Sequence, residues 1–211
     1  MEKTLIGKKL GMSQIFDEKG RLTPVTVIQA GPCTVLETKT AEKHGYSALQ
    51  LGFGERKAKN VSKAVKGHCK QAGLEEHPPA KIKEFRLNSD SEMAPGGKID
   101  ATAFAVGEFV DISGTMKGRG FQGVVKRYNF RGGRYSHGGG WKRKGGSIGQ
   151  CEFPARVYKG KRMPGQMGNV KKTIQNLLVV KISAEDNVIC VKGAIPGPKG
   201  GYVSINAAKK K

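Results

Sequence analysis

The sequence predicts a mainly β fold of the α+β class: a small antiparallel β-barrel body with a helical insertion, carrying a long, irregular extension rich in Gly, Lys and Arg. Two observations support this prediction. Short apolar and β-branched runs separated by turn residues occupy both ends of the chain, as in small antiparallel barrels. Between them, residues 115–172 contain too few aliphatic side chains to form a core. We therefore expect residues 1–114 and 173–211 to form one body.

Residues 4–53 are expected to form short β-strands. The apolar and β-branched runs are Thr4–Ile6, Gln14–Phe16, Thr23–Gln29, Thr34–Thr38 and Tyr46–Phe53. Turn signals separate them, namely Asp17-Glu18-Lys19-Gly20, Gly31-Pro32 and His44-Gly45. Glycine and proline suit these positions because the chain must reverse there.

Residues 54–105 are expected to be a helical insertion with its connections. Asn60 or Ser62 can cap a helix that runs to about Ala72, with Gly73 as its C-terminal stop. The remaining parts are expected to be a strand at Ile82–Leu87, a mobile polar loop at Asn88–Gly97, and returning strands at Ile99–Phe104 and Glu108–Ser113.

The C-terminal part of the chain predicts a β-hairpin followed by a last strand. Thr173–Ser183 and Asn187–Lys192 flank a short turn, and Tyr202–Ile205 follows the Gly/Pro loop Gly193–Gly201. Strands from both ends of the chain would then close the body, with residues 115–172 inserted between them. Such a long insertion is tolerable because loop-closure entropy grows only logarithmically with length.

Residues 115–172 concentrate the positive charge of the protein. They hold 15 of the 38 Lys and Arg residues, one acidic residue (Glu152), 14 of the 31 glycines and half of the aromatic residues. Lysine and arginine bind phosphates, and glycine lets the backbone approach closely. This composition indicates a nucleic-acid-binding extension; the alternative is a solvated charge run without a defined partner.

The candidate RNA-binding residues are the cations of this segment together with Trp141. Arginine suits bidentate contact with phosphate, and Trp141 or Tyr135 can stack on an unpaired base. The cations are Lys117, Arg119, Lys126, Arg127, Arg131, Arg134, Lys142, Arg143, Lys144, Arg156, Lys159, Lys161, Arg162, Lys171 and Lys172.

A glycine motif in this segment offers a competing interpretation. Residues 118–123 match the G-x-G-x-x-G pattern of dinucleotide-binding folds. That site requires an acidic residue about 20 positions later, and none occurs between Asp111 and Glu152. We therefore expect a turn that contacts phosphate and leads into a short helix at about Gly120–Asn129.

Metal binding and disulfide formation are not expected. His68, Cys69 and His77 lack a fourth ligand at a recognised spacing. The cysteines, Cys33, Cys69, Cys151 and Cys190, form no CxxC pair. Without a secretory signal or an apolar run of membrane length, this pattern indicates reduced thiols in the cytoplasm, and a mature organellar protein would look the same.

Catalysis is not expected either. A Cys–His hydrolase would pair Cys151 with a histidine such as His137 and needs a third group to orient the histidine. Glu152 is the only carboxylate in the segment that could serve. We expect no cofactor, and magnesium only where RNA brings it.

Several motifs in the same order resemble the large-subunit ribosomal protein L3 family, in its bacterial or organellar form, over essentially the whole chain. The motifs are Ile6-Gly-Lys-Lys-Leu-Gly-Met12, Pro24-Val-Thr-Val-Ile28, the signature from Phe104 through Asp111 to Gly114-Thr-Met-Lys-Gly-Arg-Gly120 with Gly123 and Arg127, Gly146-Ser-Ile-Gly-Gln150, and Lys159-Gly-Lys-Arg-Met-Pro-Gly-Gln-Met-Gly-Asn169. Two positions depart from the family pattern. Met116 stands where Ser or Thr is usual, and Glu152 stands where some members carry a methylated glutamine.

The resemblance implies a β-barrel on the subunit surface and an extension that runs through 23S-type rRNA. It also implies a role in subunit assembly, with a tip at Gly149, Gln150, Cys151 and Glu152 near the peptidyl transferase centre, and Gln150 among the rRNA-binding residues. The implied partners are rRNA and neighbouring large-subunit proteins, with no membrane and no small-molecule substrate. The alternative function is a general RNA chaperone or nucleic-acid architectural protein.

Overall fold

The structure, a computed structural model, describes residues 3–17, 19–91 and 93–211. Glu2, Glu18 of the expected turn and Glu92 of the expected mobile loop lie outside the described residues. The chain divides into two compact units. We call Met1–Thr115 with Lys171–Lys211 the body, and Met116–Val170 the basic unit.

Strands predominate among the elements of the described residues. In chain order they are β1 (Thr4–Phe16), β2 (Leu22–Ala30), β3 (Cys33–Lys39), β4 (Ala48–Glu55), β5 (Pro79–Arg86), β6 (Lys98–Ile99), β7 (Phe109–Thr115), β8 (Phe121–Gln122), β9 (Gly165–Gln166), β10 (Lys171–Ser183), β11 (Val188–Lys192) and β12 (Tyr202–Ala207). The helices are α1 (Ala41–His44), α2 (Lys63–Lys70) and α3 (Val124–Tyr128), with 3₁₀ turns at Ala58–Asn60 and Ala101–Ala103. None of these helices has the length and apolar character needed to cross a membrane.

Six strands of the body form a closed antiparallel barrel, which confirms the predicted fold class. Their order around the barrel is β1-β12-β7-β10-β11-β2. Leu5, Ile205 and Ile112 lie side by side on β1, β12 and β7, and each is fully buried. Because side chains alternate across a strand, this register directs one apolar set from each strand into the barrel core.

A second sheet with the order β5-β4-β3-β6 completes the body. Its buried side chains, including Val35, Leu51 and Phe85, belong to the same hydrophobic cluster as the barrel residues Ile28 and Ile112. The two sheets of the body therefore share one core, with β5 at the edge of its sheet.

Strand β1 is longer than the sequence predicts. The two expected strands, Thr4–Ile6 and Gln14–Phe16, are parts of the single strand Thr4–Phe16. Its pairing with β2 shifts register between Lys9 and Gly11, where a bulge lets the strand bend without ending. Glycine and lysine residues around the bulge hide this continuity in the sequence.

The predicted helix after residue 60 is confirmed in a shorter form. It spans Lys63–Lys70, and the Ser62 side chain accepts a hydrogen bond from the Val65 backbone N–H at 3.5 Å, so Ser62 is the N-cap. The rest of residues 54–105 contains β5 and β6 in the second sheet, so this region holds more sheet than expected.

The predicted strand Ile99–Phe104 is wrong beyond Ile99. Residues Ala101–Ala103 form a 3₁₀ turn, and Ala101 is fully buried. The Ala101 backbone N–H donates to Oδ1 of Asn187 at 3.5 Å. This side chain takes the place of the neighbouring strand that would otherwise accept the hydrogen bond.

We expect Gly7→Ala to destabilise the barrel. A Cβ at Gly7 would lie 2.7 Å from Cγ2 of the buried Ile28 and 2.9 Å from the Gln29 carbonyl oxygen. The backbone cannot retreat without breaking the β1–β2 pairing, so urea denaturation should show a loss of about 1–3 kcal/mol in the free energy of unfolding. Gly11→Ala on the same strand, where a Cβ meets no atom within 4 Å, is the matched control. Equal losses in the two variants would contradict this explanation.

Candidate nucleic-acid interface

The basic unit begins and ends as two antiparallel chain segments. Strand β8 pairs with β9, and further hydrogen bonds continue the pairing towards residues 116 and 170. The Met116 N–H donates to the Val170 carbonyl at 3.0 Å, and the Arg119 N–H donates to the Met167 carbonyl at 2.8 Å. We call this paired region, residues 116–122 and 165–170, the ladder.

Gly168 allows the two segments of the ladder to approach closely. Its φ is +75°, and a Cβ there would lie 2.1 Å from the Lys117 carbonyl oxygen. No residue with a side chain fits this position, because both the backbone conformation and the space exclude it. The Met167-Gly168-Asn169 sequence therefore supports the ladder directly.

Helix α3 follows the ladder and is shorter than expected. The sequence predicts a helix over about Gly120–Asn129, whereas the structure has Val124–Tyr128, ending at Asn129 with a φ of +59°. Val124 is 4 % exposed and anchors the helix. Residues 118–123 precede it, and a helix of one turn after a two-residue strand is not the βαβ unit that dinucleotide binding requires.

The distal part of the basic unit has little regular structure. Across residues 131–164, short-range backbone contacts set the path, such as the Gly133 N–H donating to the Trp141 carbonyl at 3.1 Å. At Gly132, a Cβ would lie 2.2 Å from the Lys142 carbonyl oxygen. Glycine is therefore required where the two sides of this segment meet, and most of its side chains face solvent.

The candidate cations of the basic unit are exposed, with the exception of Arg127. Lys171 and Lys172, which are predicted from the sequence to lie in the extension, begin β10 and belong to the body. The ion pairs of the described residues are Lys3–Glu108, Lys39–Glu84, His44–Glu37 and Lys70–Glu75, all in the body. The cations of the basic unit therefore form no ion pair with a residue in the described ranges.

Arg127 is half-buried, and its side chain donates a hydrogen bond within the basic unit. Its Nη1 donates to the Met163 carbonyl at 2.7 Å, and its guanidinium lies 4.9 Å from the centre of the Tyr128 ring. Gly165 makes room for it, because a Cβ there would lie 2.6 Å from Nη1. Arg127 thus fastens α3 to the segment that leads into β9.

Trp141 and several other aromatic side chains are available for stacking. Trp141 is 60 % exposed, and Nζ of Lys144 lies 4.9 Å from its ring centre. Tyr135 and Phe153 are also exposed, the latter by 86 %. Phe153 is not among the binding residues predicted from the sequence. Its position directly after the predicted tip, in a segment rich in cations, is the sequence signal that could have identified it.

The predicted tip residues Gly149, Gln150, Cys151 and Glu152 are all exposed. The Ser147 hydroxyl donates to the Gly149 carbonyl at 2.9 Å, which shapes the turn before them. Glu152 forms no ion pair within residues 116–170, all of which the structure describes. Its carboxylate therefore remains open to a base donor or a cation.

Two of the three residues weighed as metal ligands, His68 and Cys69, have contacts within the body, and His77 is exposed. His68 Nε2 contacts Oε1 of Gln50, and Cys69 is fully buried, which raises the pKa of its thiol. Within the part of the chain that the structure describes, no group of three or more His, Cys, Asp or Glu side chains could hold a metal ion. His68 and Cys69 are explained by their place on the apolar stripe of α2.

Known proteins resemble this chain over its full length. The family model described as "Ribosomal protein L3" matches residues 86–188. The large ribosomal subunit protein uL3 of Geobacter sulfurreducens is 51 % identical over 210 residues, which cover 100 % of this chain and 99 % of the relative. The uL3 proteins of Pelobacter propionicus (50 % identical, 100 % of each chain) and Brachyspira pilosicoli (51 % identical, 98 % of this chain and 94 % of the relative) are similar to the same extent.

We expect Arg127→Gln to loosen the ladder. Loss of the hydrogen bond to the Met163 carbonyl frees the segment before β9, and a partly exposed charged bond of this kind stabilises by about 1 kcal/mol. Hydrogen exchange at the Arg119 and Met167 amides should accelerate by about fivefold. Lys126→Gln on the same helix removes the same charge from an exposed position and is the control. Equal acceleration in both variants would show that charge, and not the carbonyl contact, matters.

Proposed function

The chain belongs to the ribosomal protein L3 family, and from this premise we propose how its parts bind large-subunit rRNA. The protein is a structural constituent of the large ribosomal subunit, acts in translation and binds rRNA. It associates with the ribosome.

The uncompensated charge of the basic unit supports our proposal most directly. Residues 116–170 hold 13 Lys and Arg residues and one acidic residue, Glu152. No ion pair forms among these fully described residues, and the cations face solvent except for the half-buried Arg127. Such a surface repels itself and favours a polyanion, so the unit neutralises phosphates where rRNA helices approach one another.

Glycine and the aromatic residues give this contact its form. Close backbone approaches at Gly132 and Gly168 keep the unit thin enough to lie between RNA helices. Exposed Trp141, Tyr135 and Phe153 stack on unpaired bases. The turn at Gly149–Glu152 then reaches towards the peptidyl transferase centre, and the whole unit supports assembly of the subunit by holding rRNA segments together.

The role that we propose is non-catalytic and cofactor-free. The side chains bind and position RNA, and magnesium ions reach the interface through rRNA. Neighbouring large-subunit proteins are the other partners. We place the protein on cytoplasmic ribosomes, supported by its four free cysteines, of which Cys33 and Cys69 are buried.

We expect the protein to prefer large-subunit rRNA over random RNA of equal length. The logarithm of the binding constant falls linearly with the logarithm of the salt concentration, with a slope of about −0.7 to −0.9 for each phosphate that the protein neutralises. This dependence is the same whatever the RNA sequence. Specific contacts persist as salt rises, so the preference should grow in a competition titration from low to high salt. A general RNA chaperone would show the same affinity for both RNAs at every salt concentration. That outcome would refute the proposed function.

Trp141→Ala should weaken binding to large-subunit rRNA more than Lys211→Ala. Stacking contributes about 1–3 kcal/mol per base, equivalent to roughly 5- to 150-fold in affinity, whereas Nζ of Lys211 lies 4.5 Å from the centre of the Phe109 ring, within the body. Trp141→Phe keeps an aromatic face and should retain most of the affinity, as measured by filter binding. Equal losses for Trp141→Ala and Lys211→Ala would contradict the stacking role.

A further inference from the structure

We propose that the body contains a second RNA contact, a phosphate-binding cleft formed by Lys81 and Lys83 of β5 with Lys171 of β10. The cleft lies over hydroxyl groups on the outer face of the barrel and has a volume of about 270 Å³. Its ligand is a phosphate of the RNA backbone. The inference rests on the proposed rRNA-binding function and adds a site outside residues 116–170.

Ser113 and Ser204 line the cleft and belong to a row of hydroxyl groups that crosses three barrel strands. The register places Ser204 of β12 opposite Ser113 of β7, and Ser113 opposite Thr173 of β10. The Ser113 and Thr173 hydroxyl oxygens lie 2.7 Å apart, and the Ser204 hydroxyl donates to the Ser113 carbonyl at 3.4 Å. Side chains at opposed positions share one face of a sheet, so these hydroxyls form a continuous polar strip.

Lys83 brings a positive charge from the neighbouring sheet onto this strip. Strand β5 is the edge of its sheet, and Nζ of Lys83 donates to the Ser204 hydroxyl. Ser204 is only 2 % exposed, so the ammonium group is held at a buried hydroxyl and not in open solvent. Lys81 on the same face of β5 and Lys171 on β10 complete the cationic rim of the cleft.

The three ammonium groups have no carboxylate partner among the residues that the structure describes. The residues that line the cleft include no Asp or Glu, and neither Lys81 nor Lys171 forms an ion pair with another described residue. Glu84, the nearest acid in the sequence, points to the other face of β5, where Lys39 Nζ (2.7 Å) and the Tyr46 hydroxyl (2.9 Å) bind its carboxylate. The described part of the chain therefore supplies no carboxylate to balance the charge of this cluster.

Mutual repulsion is visible in the electrostatics of Lys83. Burial lowers the pKa of its ammonium group, and the charges of Lys171 and Lys81 lower it further. A folded protein gains nothing by gathering like charges around a half-buried lysine. An anion bound between the three lysines would replace their mutual repulsion with attraction. Lysine and hydroxyl groups are donors that proteins use to bind phosphate oxygens.

Lysine on an edge strand also has a structural explanation. Charged side chains at a sheet edge prevent pairing with another chain, and this purpose alone would require no ligand. It does not account for Lys171, which comes from the closed barrel, nor for the orientation of Lys83 onto a buried hydroxyl. The two explanations predict different responses to RNA.

The test compares two triple variants of the full-length chain. In the first, Lys81, Lys83 and Lys171 are each changed to Met, which keeps the aliphatic stem and removes the charge. In the control, the exposed residues Lys43, Lys59 and Lys63 are changed to Met, with the same loss of net charge. Affinity for large-subunit rRNA is measured at several salt concentrations for both variants and the unchanged protein.

We expect the plot of log affinity against log salt concentration to be less steep for the cleft variant, by about 2 in slope. Each lost phosphate contact removes about 0.7–0.9 from the magnitude of this slope. The control should keep the slope of the unchanged protein. Equal slopes for the cleft and control variants would overturn the inference. Because phosphate contacts are independent of sequence, this comparison remains valid if the unchanged protein shows no preference for large-subunit rRNA, an outcome that refutes the proposed function alone.

A second measurement covers the case in which the cleft variant fails to fold. Amide resonances of Ser113, Gly114 and Ser204 in the unchanged protein are followed during titration with a short RNA oligonucleotide and, separately, with inorganic phosphate. Saturating shifts with the oligonucleotide, and weaker ones with phosphate, support a backbone-phosphate site. No shifts with the oligonucleotide, or shifts with inorganic phosphate alone, would overturn the inference.

Discussion

The antiparallel pairing of β7 with β10 is the constraint on which the rest of the structure depends. It sets Thr115 opposite Lys171, so the chain leaves the barrel and re-enters it at neighbouring positions. The barrel can close whatever happens between those two residues, since closure requires only that the ends meet. Residues 116–170 therefore do not have to contribute side chains to the hydrophobic core of the barrel. Its composition can serve RNA binding alone, which explains how so charged a sequence coexists with a stable fold.

Charge is handled differently in the body and in the basic unit. In the body, some carboxylates are paired, as Lys39–Glu84 and Lys3–Glu108 show, and the lysine partner lowers the pKa of each glutamate. For Glu108 this lowering prevails although burial raises the pKa. In the basic unit, the cations form no ion pair with any residue that the structure describes, and contacts such as Arg127 to the Met163 carbonyl join its segments. Uncompensated charge costs stability in an isolated protein and becomes favourable beside a polyanion. This separation agrees with our proposal that the body supplies the core and the basic unit neutralises most of the phosphates.

The sequence predicts an element well where the pattern of apolar and turn residues is local. It predicts an element poorly where the element depends on pairing with a distant strand. The hairpin of β10 and β11 follows from two apolar runs around a turn, and the structure confirms it. The continuity of β1 through its bulge, and the turn at Ala101–Ala103, depend on partners distant in the chain and escape local patterns. At the site, composition identifies the cations of residues 116–170 as exposed groups. It cannot distinguish Arg127, whose side chain is bound internally, because only the fold brings Met163 within reach.

Lys171 shows why a basic block read from the sequence is not the same object as a binding surface. By composition it belongs to the run of cations from Lys117 to Lys172, yet by structure it starts β10 and belongs to the body. There it lies with Lys81 and Lys83, which are about 90 residues away in the chain and lie in a stretch of ordinary composition. The position of β5 beside the barrel brings these three charges together near one row of hydroxyls, and no linear charge count can detect that. The RNA-binding surface that we propose therefore depends both on local composition in the basic unit and on long-range packing in the body.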